Sequence, residues 1–175
     1  MSAPRIPRPG AGEHDPYYSK YIELVPGDDA FPPLERQLDA SLALLAPLDE
    51  ARALHRYAPG KWSVKEVVGH LADCERVFAY RALRFARADA TPLPGFDENA
   101  YVPAGRFDRL PLAELLDDWR AVRAASIRLF RGLDDEALTR RGLANDSPIT
   151  PRAVAWIMCG HELHHRALLR ERYVP

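Results

Sequence analysis

The chain has 175 residues, of which 47% are hydrophobic, and this suits one domain with a hydrophobic core. Its 24 Lys and Arg residues nearly balance 25 Asp and Glu residues, so the formal net charge is −1. Nucleic-acid-binding proteins usually carry a basic excess that this sequence lacks. No stretch approaches the roughly 20 apolar residues of a membrane-spanning helix. Composition therefore favours a globular protein with neither nucleic acid nor a membrane as its partner.

The first 15 residues are rich in Pro and Gly, which predicts a flexible N-terminal arm over residues 1–15 and a single domain over residues 16–175. The arm lacks the apolar segment of a signal peptide. The two cysteines, Cys74 and Cys159, are too few for a disulfide framework. Each lies in an apolar helical pattern, where a small buried hydrophobic role is expected. We therefore expect a cytoplasmic protein.

Apolar residues recur at three-to-four spacing in four long segments, which predicts four amphipathic helices. The first spans about residues 32–45 and ends before Pro47. The second spans about residues 63–88 and opens with a capping box in which Ser63 and Glu66 satisfy each other's backbone amides.

The third predicted helix spans about residues 111–131, with Pro111 in its first turn and Gly132 just past its end. The fourth spans about residues 150–171, with Thr150 as its N-cap and Pro151 at its first position. A shorter helical turn is expected after Asp134. No segment shows the alternation of a strand hairpin, so no β-structure is predicted.

The connection over residues 89–110 contains five prolines and glycines and is long for a compact domain. Connections of this length are usually functional or disordered. Together with the four helices it predicts an all-α fold: an antiparallel four-helix bundle with a long crossover between helices 2 and 3. In an up-down-down-up bundle such a crossover joins two parallel helices.

Three of the six histidines fall in the fourth helix, as His161, His164 and His165. Residues four apart lie about 40° apart around a helix, so His161 and His165 can bind one metal ion. His70, in the second helix, shares a heading with Val67 and Cys74 and points towards the bundle interior. A lone histidine there is usually a core residue, but two facing histidines favour a three-histidine metal site.

The other histidines carry weaker signals. His164 points about 60° to the other side of His161, which indicates a helix-interface or supporting hydrogen-bonding role. His14 and His55 lie in the arm and in a loop-like stretch, and nothing points to a role for either. Three imidazoles would leave a position open for water or substrate, as in catalytic rather than structural metal sites.

The segment from His161 to His165 also reads as H-E-x-x-H, in which the glutamate of a zinc protease is the general base. That interpretation would assign Glu162 this role. A zinc-protease helix needs a preceding sheet and a third ligand further along the chain, and the sequence predicts neither. A metalloprotease is therefore disfavoured despite the motif.

Two groups of residues resemble signatures of the DinB/YfiT-like superfamily. One runs from Pro59 through Trp62 to Arg76, and the other from Gly160 through His165 to Tyr173. Residues 17–26 and 93–97 look similar as well, so the resemblance spans about residues 16–175. It implies a four-helix bundle that binds zinc or nickel through His70, His161 and His165, often as a homodimer.

Members of that superfamily include thiol-dependent transferases and isomerases and proteins described as metal-dependent hydrolases. The resemblance thus implies a small-molecule substrate, with a low-molecular-weight thiol as one candidate, without choosing between transfer and hydrolysis. Asp97, Glu98, Asn99 and Tyr101 either line the mouth of such a site or belong to a solvated crossover. The alternative function is a non-enzymatic, stress-related metal-binding or dimeric interaction bundle. Catalytic residues beyond the metal ligands are not identified.

Overall fold

The structure, a computed structural model, describes residues 5–174 and is mostly helical over that range. Its elements in chain order are α1 (Ser19–Ile22), α2 (Phe31–Leu45), α3 (Glu50–Ala53), α4 (Val64–Ala86), α5 (Glu98–Gly105), α6 (Leu112–Arg131), α7 (Asp135–Thr139), β1 (Gly142–Ala144), β2 (Ser147–Ile149) and α8 (Pro151–Arg172). Short 3-10 turns cover Pro16–Tyr18 and Phe107–Arg109. The four long helices, α2, α4, α6 and α8, form the predicted bundle.

Two hydrophobic clusters define the directions of these helices. One joins the beginnings of α2 and α8 to the ends of α4 and α6, and it contains Phe31, Phe85, Phe130 and Trp156. The other joins the opposite ends, and it contains Leu45, Val64, Leu112 and Leu169. Helices α2 and α8 therefore run one way and α4 and α6 the other. This up-down-down-up order confirms the predicted bundle, whose long crossover joins the parallel helices α4 and α6.

The helices begin close to where their capping residues predict. Ser63 and Glu66 form the capping box of α4, in which each side chain accepts a hydrogen bond from the other residue's backbone N–H. The Thr150 hydroxyl accepts from the Ala153 amide at the start of α8, and Pro151 occupies the first position. Pro111 is the N-cap of α6, one position earlier than expected. The turn expected after Asp134 is present as α7.

The crossover contains a helix that the sequence did not indicate. Asp97 caps α5 by accepting hydrogen bonds from the Asn99 and Ala100 amides. The hydrophobic pattern did not reveal this helix, because the helix is short and contains Pro103. Further along, a Cβ atom added at position 69 would lie only 2.4 Å from the Phe107 ring. Glycine at this position therefore allows the crossover to lie this close to α4.

The described residues also include one β-hairpin, which corrects the prediction of no β-structure. Strands β1 and β2 pair antiparallel, with Gly142 opposite Ile149. Asn145 and Asp146 form the two-residue turn with φ values of 53° and 58°, the conformation that suits hairpin turns. Strands of three residues are too short to show an alternating pattern, and Pro148 in β2 is a residue that usually indicates the absence of a strand. The Asn-Asp pair was the available signal.

Residues 5–15 pack against the bundle, which differs from the flexible arm expected over residues 1–15. Ile6 is 1% exposed, and its carbonyl accepts a hydrogen bond of 3.1 Å from the Trp156 indole. The Glu13 carboxylate binds Thr150 and Arg152 at the start of α8. Sequence composition did not reveal these long-range contacts, and residues 1–4 lie outside the described residues. The domain boundary at residue 16 stays a prediction.

A polar layer lies in the middle of the bundle between the two hydrophobic clusters. Arg123 on α6 donates two hydrogen bonds of 2.8 Å to the Glu75 carboxylate on α4 and one of 2.9 Å to Glu162 on α8. From α2, Gln37 and Ser41 each donate a 2.6 Å hydrogen bond to Glu162. This layer links all four long helices. None of the described helices has the length and apolarity needed to cross a membrane.

Candidate metal centre

Three histidines from two antiparallel helices converge beside the polar layer. His70 comes from α4, and His161 and His165 come from successive turns of α8. The Nε2 atom of His161 lies 3.1 Å from the Nε2 atoms of both His70 and His165. One ring nitrogen from each residue lies within 4.8 Å of the other two. The structure thus brings together the three residues that the sequence singled out.

This spacing fits a shared ion. Two nitrogens bound at about 2.0–2.1 Å to one tetrahedral ion lie about 3.3 Å apart, close to the distances here. A neutral imidazole carries only one N–H, so three Nε2 atoms this close can direct their lone pairs at a common point. The donor set and its spacing therefore fit a divalent ion such as zinc.

Burial keeps the three imidazoles neutral at pH 7. It lowers the pKa of His70 to about 4. Burial, with the neighbouring His70 and His164, lowers the pKa of His165 to about 3. The pKa of His161 falls well below its usual value through burial and through the other histidines. Neutral imidazoles are the form that binds metal ions.

Close packing around α8 holds the cluster in place. At Gly160, an added Cβ would lie 2.0 Å from the Tyr21 carbonyl oxygen, so glycine lets the backbone of α1 lie directly against α8. The Tyr21 ring then meets His161 edge-on, with the ring centroids 5.3 Å apart. On the other side, the Trp62 ring lies 4.7 Å from that of His70.

The histidines line a cavity of about 440 Å³, within the usual size range of small-molecule sites. Its walls come from five parts of the chain: the turn before α1 with α1, one face of α4 with the preceding Trp62, the crossover, the β1–β2 hairpin, and the histidine face of α8. Tyr18, Phe78 and Phe96 contribute aromatic surface, and Arg81 and Glu98 contribute charged groups. A second cavity of about 240 Å³ shares Trp62 and His165 with the first.

Glu162 does not face this cavity. Its carboxylate is 1% exposed and accepts hydrogen bonds from Arg123, Gln37 and Ser41 in the polar layer. Adjacent helical residues point about 100° apart. His161 and His165 therefore face the cavity, while Glu162, next to His161, faces the interior of the bundle. The role of general base that the H-E-x-x-H reading would give to Glu162 does not fit this position.

The other residues singled out in the sequence divide between the cavities and the surface. Glu98 lines the larger cavity and Asn99 the smaller one. Asp97 instead caps α5, and the Tyr101 ring packs on Phe96 at 5.3 Å. His164 lines the cavity at its exposed side, 5.1 Å from the His165 ring. His14 and His55 lie outside both cavities.

Several cavity residues were missed by the sequence analysis. Arg81 follows His70, Cys74 and Phe78 on one face of α4, at intervals of four, four and three residues, so helical spacing offered a signal. Cys74 is buried as expected, but its Sγ atom lies 3.5 Å from Nδ1 of His70. Burial raises the pKa of the Cys74 thiol well above its usual value, so this group is protonated at neutral pH.

Fold and cluster together define a helical bundle with a candidate three-histidine metal centre. A family model described as the DinB superfamily matches residues 33–169, and the chain belongs to that superfamily. The match includes all three histidines of the cluster. No curated protein sequence gives a significant match.

Two solved structures share the fold. YfiT from Bacillus subtilis, described as a probable metal-dependent hydrolase with an unusual four-helix bundle topology, superimposes with a TM-score of 0.71 at 20% identity, covering 93% of this chain and 89% of YfiT. A mycothiol-dependent maleylpyruvate isomerase gives a TM-score of 0.63 at 14% identity, covering 86% of this chain. The similar region spans only 59% of the isomerase. At these identities the likeness establishes the fold alone.

Proposed function

We propose that this protein is a metal-dependent enzyme that activates a small nucleophile, either water or a low-molecular-weight thiol, at an ion held by His70, His161 and His165. Zinc and nickel are the proposed ions, since imidazole ligands suit both. The observation that carries the proposal is the convergence of three neutral imidazoles on a cavity wall, with Nε2 atoms 3.1 Å apart. The reaction class is hydrolysis of a small molecule or its transfer to a thiol.

The cavity favours an enzyme over a bundle in which an ion serves only to stabilise the fold. Structural zinc sites surround the ion with four protein ligands, whereas catalytic sites use three and keep one position for substrate or water. Among the described residues, the group of metal-binding side chains contains three histidines and no fourth member. The cavity that adjoins them is large enough for a small organic molecule.

When bound, a zinc-type ion lowers the pKa of coordinated water to about 7 or binds a thiolate directly. The chain's own residues orient the reactants and limit access of bulk water. Tyr21 and Trp62 pack against the ligand rings, and Phe78 and Phe96 give the cavity apolar walls. Burial raises the pKa of Tyr21 well above its usual value, so its phenol stays protonated at pH 7, where it can donate a hydrogen bond but does not act as a base.

The descriptions of two proteins with the same fold agree with the two nucleophiles in the proposal, water and a low-molecular-weight thiol. YfiT is described as a probable metal-dependent hydrolase, and the isomerase is named as mycothiol-dependent. The polar layer removes Glu162 from consideration as a base for either reaction. The nucleophile is therefore proposed to be activated by the ion and not by a neighbouring carboxylate.

Metal content tests the site. Purified protein should bind about one zinc or nickel ion per chain, measured by plasma mass spectrometry after dialysis. Chelation should lower the melting temperature, since at an ion concentration of 100 times Kd binding contributes about 2.7 kcal/mol. His161→Ala should abolish both effects, and the control His164→Ala should retain the ion. Equal metal content in the wild type and His161→Ala would contradict the site.

Activity tests the reaction class. Metal-loaded protein should be assayed with ester and electrophile panels, each with and without a low-molecular-weight thiol, beside His161→Ala. Turnover without thiol indicates hydrolysis, and turnover only with thiol indicates transfer. Turnover that His161→Ala leaves unchanged would refute the catalytic role of the ion. The homodimer and the cytoplasmic location expected from the sequence stay predictions, and light scattering would test the first.

A further inference from the structure

Arg81 is a buried arginine in the wall of the same cavity. It lies on α4 and is 3% exposed, yet it lines the space onto which the three histidines face. Its Nη2 atom donates a hydrogen bond to the Pro94 carbonyl, 3.0 Å away, and the Tyr18 hydroxyl is a second polar neighbour. Its guanidinium carbon lies 5.8 Å from the centre of the Phe96 ring. These partners are uncharged.

No carboxylate oxygen of the described residues lies within 4.0 Å of the Arg81 guanidinium group. The cavity contains two carboxylates, but Asp15 binds Ser147 and the Tyr17 amide, and Glu98 is partly exposed on the crossover. Arg123, a second buried arginine, lies on the neighbouring helix α6 and binds two carboxylates. Buried charges are normally paired, because an unpaired one is strongly unfavourable.

We propose that Arg81 binds a carboxylate group of the substrate, so that the enzyme acts on a small organic acid. This inference rests on the proposed function for the identity of the cavity as a substrate site. An arginine fork matches a carboxylate through two parallel N–H donors. The substrate's charge would supply the partner that the protein itself does not place beside Arg81.

The position of Arg81 also defines the shape of this acid. His70 and Arg81 are 11 residues apart on α4, so their Cα atoms lie about 16 Å apart along the axis and about 20° apart around it. Helical side chains lean towards the N-terminus, which directs the guanidinium group back towards the histidines. Cys74 and Phe78 line α4 between them. The carboxylate is therefore remote from the reacting group, and an apolar or aromatic segment joins the two.

A matched pair of probes tests this assignment: 3-phenylpropionate and its neutral amide, which share a shape and differ in charge. Binding is measured by calorimetry and thermal shift on chelator-treated protein, so that the acid cannot bind through an ion. Wild type should bind the acid about 10- to 100-fold more tightly than the amide, the range for hydrogen bonds to a charged group. Arg81→Gln should abolish this preference.

Matched variants separate the explanations. Arg76→Gln, on the exposed side of the same helix, should keep the preference, and so should His161→Ala, which tests the metal site independently. Arg81→Lys keeps a positive charge without the fork and should retain part of the preference, which provides a result if Arg81→Gln does not fold. Absence of an acid preference in the wild type, or its persistence in Arg81→Gln, would overturn the assignment. Failure of the metal site would instead appear as unchanged metal content in His161→Ala.

Discussion

His161 and Glu162 are neighbours on α8, yet they belong to two regions of opposite character. His161 joins a cluster of imidazoles whose ring nitrogens face one another beside a cavity. Glu162 joins a polar layer in which its carboxylate accepts hydrogen bonds from three side chains on two other helices. Both residues are buried, so burial alone does not distinguish them. The difference lies in whether the protein supplies the partners.

The polar layer contains groups that stabilise the fold, whereas the histidine cluster contains groups that are free to bind a ligand. In the polar layer the charged groups are paired within the protein, because the Arg123 guanidinium binds both the Glu75 and the Glu162 carboxylates, and this pairing links the helices. In the histidine cluster the Nε2 atoms instead face one another, so their lone pairs are left for a ligand. Groups of the first kind are expected to affect stability when changed, and groups of the second kind to affect ligand binding.

The largest effect is expected from breaking the polar layer. Arg123→Met removes the cation and leaves the Glu75 and Glu162 carboxylates buried without their partner. Removing one member of a buried ion pair lowers the free energy of unfolding by about 3–5 kcal/mol. Urea unfolding measures this loss. The control Arg120→Met, on the same helix with a side chain 58% exposed, should change the free energy by about 0.5 kcal/mol or less.

An intermediate effect is expected for Glu162→Gln, a substitution in the polar layer directly beside His161. The amide keeps an oxygen acceptor but loses the charge facing Arg123, so the free energy of unfolding should fall by about 2 kcal/mol. Metal content, measured after dialysis, should stay equal to that of the wild type. A loss of the ion without a loss of stability would contradict the assignment of Glu162 to the polar layer.

The smallest effect is expected at a second group of polar side chains that are paired within the protein, formed by Glu13 with Thr150 and Arg152. Burial raises the pKa of Glu13, but hydrogen bonds from Arg152, the Gly10 amide and Thr150 outweigh it and lower the pKa to about 2. A carboxyl whose folded-state pKa is lowered stabilises the fold above its unfolded pKa, about 4.3. That stabilisation is lost as the pH falls through about 2.

Glu13→Gln should therefore lower the free energy of unfolding by about 1–2 kcal/mol at pH 7, allowing for solvent screening. The difference in free energy of unfolding between the wild type and Glu13→Gln, called the gap below, should stay constant down to about pH 5 and close between about pH 4.5 and 2. Unfolding curves at several pH values measure this gap. A gap that does not depend on pH would show that the carboxylate charge contributes nothing.

The sequence predicted the bundle and the histidine cluster because both depend on local periodicity. The capping box at Ser63 and the spacing of His161 and His165 are set within one helix. The inward heading of His70 also followed from its own helix. The resemblance around His70 and His165 added the pairing between helices, which periodicity does not provide.

What the sequence did not reveal depends on contacts between distant segments. Arg123 looked like one of many charged residues, and only its position against Glu75 and Glu162 shows that it is buried. Residues 5–15 looked loose because Pro and Gly dominate their composition, yet Glu13 binds Arg152, 139 positions away. Arg81 lay on the correct face of α4, but its lack of a carboxylate partner is visible only in three dimensions.

The walls of the cavity include residues near position 20 and residues beyond position 160. Contacts this far apart in sequence close long loops, and such contacts form slowly in folding. The tight approach of Tyr21 to Gly160 is one of them. The Tyr21 ring that packs on His161 is therefore held in place by a contact that closes one of the longest loops in the chain, which ties the surroundings of the candidate metal centre to the completed fold.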